Sequence, residues 1–346
     1  MLAALLYGQE DLRLEDLPRP EPGPGEIVVQ VSVATTCGTD LKVWRRGNHA
    51  KMLGANGGPV PFGHEFAGVI TSLGEGISDW QIGERVIANN SAPCGVCFYC
   101  QRQQVSLCSD LTFNNGTFAE YLRIPAAIVR SNLLRIPDPL PDYLAALTEP
   151  LACVLHGAAR SNVRSGDTVA VLGDGAIGLM FVAALQQWDV KVLLFGGQPE
   201  RLILGQQLGA TAVFNYHELA DIPAVVREHT QGQGADVVIE AAGVTTAWET
   251  AIACARPGAT VNLFGGCPRN TQISVSTERL HYSELTLKGV FHNTPYYVRE
   301  ALGLLSSRRF PLELLVSDQQ PLSNIEQVFQ QMKARKALKV ALRPSA

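Results

Sequence analysis

Apolar residues fall along this chain in two textures. From residue 169 to about 264, short apolar runs at 169–172, 191–195, 212–214, 237–241 and 260–264 alternate with stretches of helical spacing such as 200–208 and 246–255. Runs that are apolar at every position suit strands buried on both faces, and strands alternating with helices predict a parallel, doubly wound sheet. Gly209 and Pro257-Gly258 supply helix stops. Before residue 150 the apolar segments at 1–7, 27–33, 66–70, 85–88 and 118–122 are short and punctuated by glycine, which predicts a β-rich, barrel-like domain. The link 18–25 carries Pro18, Pro20, Pro22 and Pro24; each proline removes a donor and restricts its predecessor, so the link reads as a rigid surface turn. After about residue 289, helical stretches at 296–305 and 325–333 lead to a last strand at 339–342, expected to rejoin the first domain. The expected division is therefore 1–150 with 290–346, and 151–289.

Composition agrees with two packed domains. The 346 residues are 46% hydrophobic and 17% charged, enough apolar matter for a large core. A net charge of −4 gives no basic field, so neither nucleic acid nor an anionic membrane surface is expected as a partner. The apolar start, Met1 to Leu6, is too short for a signal peptide or a membrane span. A cytoplasmic location is the expectation.

The run ending at Leu172 passes directly into Gly173-Asp174-Gly175-Ala176-Ile177-Gly178 and then a helical stretch. This is G-x-G-x-x-G between strand and helix: Gly173 for the tight turn, Gly175 for close approach to a pyrophosphate, Gly178 for helix–strand packing. A lone match reads equally as a glycine turn without a ligand. The next strand ends Phe195-Gly196-Gly197-Gln198, with no acid to hold an adenosine ribose. The open strand end and nearby Arg201 favour NADP, with its 2′-phosphate; an Arg201 turned to solvent leaves NAD. Gly265, closing the run at 260–264, joins the same cofactor set.

Four of the eight cysteines cluster as Cys94-x2-Cys97-x2-Cys100-x7-Cys108. Four thiolates within reach of one tetrahedral ion favour Zn²⁺, and a filled coordination shell makes the site structural. An emptied or oxidised remnant is the alternative, while iron–sulfur binding lacks its Cys-Pro ending. Cys153, Cys254 and Cys267 are read as buried thiols. Elsewhere Cys37, His64 and Glu149 follow or close elements of the first domain. Singly they read as a core thiol, a turn histidine and a solvated charge; together a thiolate, an imidazole and a carboxylate suit an open zinc site.

Cys37-Gly38-Thr39-Asp40, Gly63-His64-Glu65-Phe66-Ala67-Gly68, Gly83-Glu84-Arg85-Val86, the four-cysteine lobe, Thr117-Phe118-Ala119-Glu120-Tyr121, Glu149-Pro150-Leu151-Ala152 and the glycine turn follow one another in order. Across its whole length the chain thus resembles the zinc-dependent medium-chain dehydrogenase/reductase superfamily, in particular its sorbitol (polyol) and threonine dehydrogenase branch. The resemblance implies an α/β protein with a β-rich GroES-like barrel catalytic domain, a structural zinc lobe at about 90–110, and a doubly wound parallel-sheet Rossmann domain that binds NAD(P). It implies two zinc ions per chain, the catalytic one held by Cys37, His64 and Glu65 or Glu149. It further implies Thr39 on the substrate hydroxyl, hydride transfer from a secondary alcohol (a polyol, a sugar derivative or a hydroxy amino acid) to the nicotinamide, and a homodimer or homotetramer. The alternatives are a zinc-free quinone or enoyl reductase of the same superfamily and a non-catalytic nucleotide-binding protein. Two departures stand out. Lys42 occupies the position where sorbitol-like members carry a histidine, with His49 as a substitute or a surface residue. Phe291-His292-Asn293-Thr294-Pro295 replaces a segment that usually brings an arginine, and either shapes the pocket or forms a solvated turn.

Overall fold

The computed structural model describes residues 1–47 and 59–344. His49 lies outside the described residues. The chain divides into two compact units, Met1–Ala152 with Thr294–Arg309 and Glu313–Ala346, and Cys153–Asn293 with Phe310–Leu312.

The first unit is built around the strand Ile27–Thr35. One of its edges pairs antiparallel with Phe66–Leu73; residues Ile27 to Gln30 also pair with Tyr121–Ile124, and Ala34 and Thr35 with the final strand Lys339–Arg343. One long strand thus serves several neighbours, helped by register shifts at Val28/Val29 and Val31/Val33 that bend it. The final strand runs parallel to Val316–Pro321, a strand too polar to stand out in the sequence. Inside, Phe329 of the helix Ile325–Lys333 touches three rings, with centroids 5.6 Å from Trp44, 5.6 Å from Phe62 and 6.1 Å from Phe118. All four side chains are buried, and tilted or edge-on contacts at such distances add to plain apolar burial. Of these rings, Phe118 lies against Gly63, the residue before His64.

The second unit holds six parallel strands: β1 (Thr168–Leu172), β2 (Lys191–Gly196), β3 (Ala212–Asn215), β4 (Ala235–Glu240), β5 (Ala255–Leu263) and β6 (Thr286–Gly289). Their order in the sheet is β3-β2-β1-β4-β5-β6. The order reverses between β1 and β4, the place where doubly wound sheets open a crevice for ligands. All five residues of β1 are buried, as a strand covered on both faces requires. Helix α1 (Ala176–Leu185) is apolar all round, and its residues from Gly178 onward are buried; helix α2 (Pro199–Gln207) follows β2.

Three elements differ from the sequence expectation. The helix Thr148–Arg160 runs through Pro150, which is tolerated because it sits in the first turn, so Glu149-Pro150 opens a helix. β5 begins before Pro257-Gly258 and absorbs them with a register shift between Ala235 and Val237 of its neighbour. β6 carries no fully buried residue, as befits an edge strand with little apolar signal. Among the described residues no helix is long and apolar enough to cross a membrane.

Candidate catalytic and cofactor sites

Cys37 stands at the N-terminus of the helix Gly38–Arg46 and caps it in the way a serine would. Its Sγ accepts the N–H of Thr39 at 3.4 Å, and Asp40 Oδ2 accepts the N–H of Cys37 at 3.2 Å. The other oxygen of Asp40 lies 2.9 Å from His64 Nδ1, an ion-pair contact too bent for a full hydrogen bond. Asp40 and His64 are both buried. Burial alone pushes the imidazole toward neutrality, but the charges of the Asp40 carboxylate and the Cys37 sulfur outweigh it and hold the His64 pKa well above its ordinary value.

Glu65 is wholly buried, and its Oε2 accepts hydrogen bonds from the Thr35 hydroxyl and, at 2.6 Å, from Lys339 Nζ. Lys339 also donates to the Thr36 carbonyl at 2.7 Å. Desolvation lowers the pKa of this buried ammonium, yet Glu65 foremost, with Cys37 and Asp40, raises it above the ordinary lysine value. Glu65 Oε1 has no hydrogen-bond partner among the described residues. Ligand atoms of Cys37, His64 and Glu65 lie within 4.8 Å of one another. A buried carboxylate oxygen beside a sulfur and an imidazole is a donor set that fits a zinc ion, and Asp40 would then stand in the outer position of a carboxylate–histidine–zinc triad. Glu149 is buried in the first turn of its helix and stands outside this group. Thr39 is half-buried one residue into its own helix, and Lys42 is exposed on it.

The four-cysteine lobe is a short helix, Phe98–Gln101, and a single tight turn, Val105–Leu107, resting on a two-strand ladder. It has little core of its own: Val96, Phe98 and Leu107 are exposed. The ligand atoms of Cys94, Cys97, Cys100 and Cys108 all lie within 4.8 Å of one another. Cys108 Sγ is 3.5 Å from Cys94 Sγ and 3.8 Å from Cys97 Sγ. Four sulfurs about 2.3 Å from one tetrahedral ion would be about 3.8 Å apart, so the set fits zinc. Backbone N–H groups of Cys94 and Asp110 point at Cys108 Sγ at 3.3 and 3.4 Å. N–H donors from Cys100 and Ser109 lower the pKa of Cys97 to about 5, while burial raises that of Cys100 to about 12.

In the second unit Gly173 has φ +122°, and Gly178 packs so closely beneath it that a Cβ on Gly178 would lie 1.8 Å from the Gly173 carbonyl. Gly175 caps α1 without a side-chain hydrogen bond, and among the described residues nothing lies within 4 Å of where its Cβ would be. Ala176 and Ile177 follow it, half-exposed, so the first-turn N–H groups are left for an anion. At the neighbouring strand end the Asp174 carboxylate accepts the N–H groups of Gly197 at 2.9 Å and Gln198 at 2.8 Å. The strand end that lacks an acid in sequence has one in space. Arg201 sits half-buried in the first turn of α2. Gly265 lies against the buried Glu240, whose Oε1 accepts the N–H groups of Ala242 and Gly243, each at 2.7 Å. His292 has φ +61°, and its carbonyl accepts from His156 Nδ1 at 2.8 Å; buried Asn293 donates to Cys153 Sγ at 3.4 Å. Of the three remaining cysteines only Cys254 is buried; Cys153, inside the helix Thr148–Arg160, and Cys267 are partly covered.

Comparison with known proteins decides the family. Residues 23–138 match the alcohol dehydrogenase GroES-like domain and residues 176–307 the zinc-binding dehydrogenase domain. The sorbitol dehydrogenase of Halalkalibacterium halodurans is 30% identical over 98% of this chain and 97% of its own. The chain belongs to the zinc-dependent medium-chain dehydrogenase/reductase superfamily. Two solved structures agree. Alcohol dehydrogenase TADH from Thermus sp. ATN1 superposes with a TM-score of 0.88 at 30% identity, over 99% of each chain. A protein of Sinorhizobium meliloti 1021 described as a zinc-binding dehydrogenase and bound to NADP gives 0.89 at 30% identity, also over 99% of each. The fold is that of the superfamily's α/β dehydrogenases, and the chain is an oxidoreductase acting on CH–OH groups with zinc and a nicotinamide cofactor.

Four residues escaped the sequence reading. Asp40 was signalled by its capping-box spacing from Cys37, Asp174 by its place inside the glycine turn, and Glu240 by ending an apolar run. Lys339 gave no signal: a lysine opening a strand is ordinarily solvated.

Proposed function

We propose that this dehydrogenase oxidises a secondary alcohol, in a polyol, a sugar derivative or a hydroxy amino acid, to the ketone, with transfer of hydride to NAD(P)⁺ and release of one proton. The observation that carries this reading is the meeting of Cys37, His64 and Glu65 within 4.8 Å, backed by Asp40 and Lys339. Cys37 and His64, with Glu65 or Glu149, are the residues that would hold the catalytic zinc, and the four-cysteine lobe a structural one. When bound, zinc supplies a Lewis acid that lowers the pKa of an alcohol hydroxyl, and the nicotinamide supplies the hydride acceptor.

The chain's own contribution is positional. Asp40 fixes the imidazole and the Cys37 backbone together, and Lys339 offsets the charge of Glu65. Thr39, on the first turn beside Cys37, is the group placed to take the hydroxyl proton onward toward water. Gly175 and the free N–H groups of α1 would receive the pyrophosphate. The carboxylate, in place of a second thiolate, favours harder oxygen-rich substrates. The sorbitol dehydrogenase relative supports the polyol class. β6, at the edge of its sheet, supports assembly into a homodimer or homotetramer through sheet edges, and the absence of a membrane-length helix among the described residues accords with a cytoplasmic enzyme. Metal analysis of the purified protein should give about two zinc per chain. A screen of polyols and hydroxy amino acids with NAD⁺ and NADP⁺, read by absorbance of the reduced nicotinamide, should show turnover; none with any secondary alcohol would overturn the proposal.

A further inference from the structure

We infer that Asp174 sets the cofactor preference of this enzyme, favouring NAD(H) over NADP(H). The inference rests on the reading of the Gly173–Gly178 turn as the dinucleotide site, and it reverses the preference suggested by the bare strand end.

In doubly wound sheets an acid near the end of the second strand receives the ribose 2′-hydroxyl of NAD, and its absence makes room for the 2′-phosphate of NADP. Here β2 ends in two glycines and a glutamine. β1 and β2 run side by side with Leu172 opposite Phe195, so the residue that follows Gly173 reaches the end of β2. Gly196 permits the approach, since a Cβ on it would lie 2.5 Å from Asp174 Cβ. Asp174 Oδ2 then accepts both the Gly197 and the Gln198 N–H groups. Gln198 is the N-cap of α2 and makes no side-chain capping bond of its own, and Pro199 at the next position has no N–H to offer. Asp174 therefore ties down the backbone that leads into α2 from another element.

Two consequences bear on the cofactor. The backbone donors best placed for a 2′-phosphate are already taken by a carboxylate, and a phosphate arriving there would meet a like charge. The second oxygen, Oδ1, makes no hydrogen bond among the described residues and Asp174 is partly exposed, so it is available to a ribose hydroxyl. Asp174 thus supplies from the glycine turn the carboxylate that β2 lacks. Arg201, on the same end of α2, opposes this, and the measured ratio decides between the two.

The test is equilibrium binding of NAD⁺ and NADP⁺ to the purified full chain without alcohol, followed by calorimetry. The wild-type protein should bind NAD⁺ at least about tenfold more tightly, about 1.4 kcal/mol. Asp174→Ala should shift that ratio toward NADP⁺ by at least about tenfold. Asp174→Asn keeps an acceptor for the two N–H groups while removing the charge, so it should shift the ratio in the same direction with little change in melting temperature; it carries the test if Asp174→Ala misfolds. NADP⁺ bound as tightly as NAD⁺ by the wild type, or an unchanged ratio in a folded Asp174→Asn protein, would overturn the inference alone. Binding of neither dinucleotide would overturn the reading of the turn with it.

Discussion

Replacing Lys339 by methionine removes the cation that pairs with buried Glu65. Both side chains are almost fully buried, at 2% and 0% exposure, with 2.6 Å between Nζ and Oε2. Breaking a buried pair by deleting one partner leaves an uncompensated charge and costs about 3–5 kcal/mol. The Thr36 carbonyl loses its donor as well, which lies within that range. For a unit of this size each kcal/mol moves the midpoint by about 2–4 °C, so the first unit should melt about 6–20 °C lower. Glu65→Gln in the same background neutralises the stranded carboxylate, so the double variant should recover much of the loss. Guanidinium unfolding of wild type, both single variants and the double variant, closed as a thermodynamic cycle, measures the coupling. A Lys339→Met protein less than about 1 kcal/mol weaker than wild type, or a cycle whose single losses simply add, would refute the view that Lys339 secures Glu65.

Cys100→Ser should reduce bound zinc to about one per chain and lower thermal stability while any correctly folded fraction keeps its turnover per catalytic zinc, as metal analysis beside kinetics will show. Phe329→Ala should cost about 3–5 kcal/mol in denaturant unfolding, since its ring joins Trp44, Phe62 and Phe118. His156 gives a pH dependence to the second unit. Burial, ahead of the opposing effect of its hydrogen bond to the His292 carbonyl, lowers its folded pKa below the ordinary 6.5. The unfolded chain therefore binds more protons in the window below 6.5, and stability falls as pH drops through it; His156→Gln should flatten that slope in melting curves taken between about pH 5 and 7.

What could be read from the chain follows from how locally each feature is encoded. β1, β2 and β4 announce themselves because strands covered on both faces must be apolar throughout, whereas β6 at the edge needs no such run. The helix opening at Thr148 was hidden by Pro150, which looks like a breaker until its place in the first turn is known. Chemistry shows the same divide. Cys37, His64, Glu65 and the four clustered cysteines were visible as residue types at suggestive spacings. Their support was not: Lys339 lies 274 positions from Glu65, and only the pairing of the last strand with Ile27–Thr35 brings them together. Asp174 was quoted as the variable letter of a glycine motif; its importance depends on the register between two strands, which spacing along one strand does not encode.

The central claim is that Cys37 and His64 hold the metal on which turnover depends. Its most direct test is zinc content, turnover of a secondary alcohol and dinucleotide affinity measured together on Cys37→Ser. The account predicts loss of about one zinc per chain and of turnover, with the dinucleotide dissociation constant unchanged. Turnover at the wild-type rate in a Cys37→Ser protein shown to lack that zinc would contradict it.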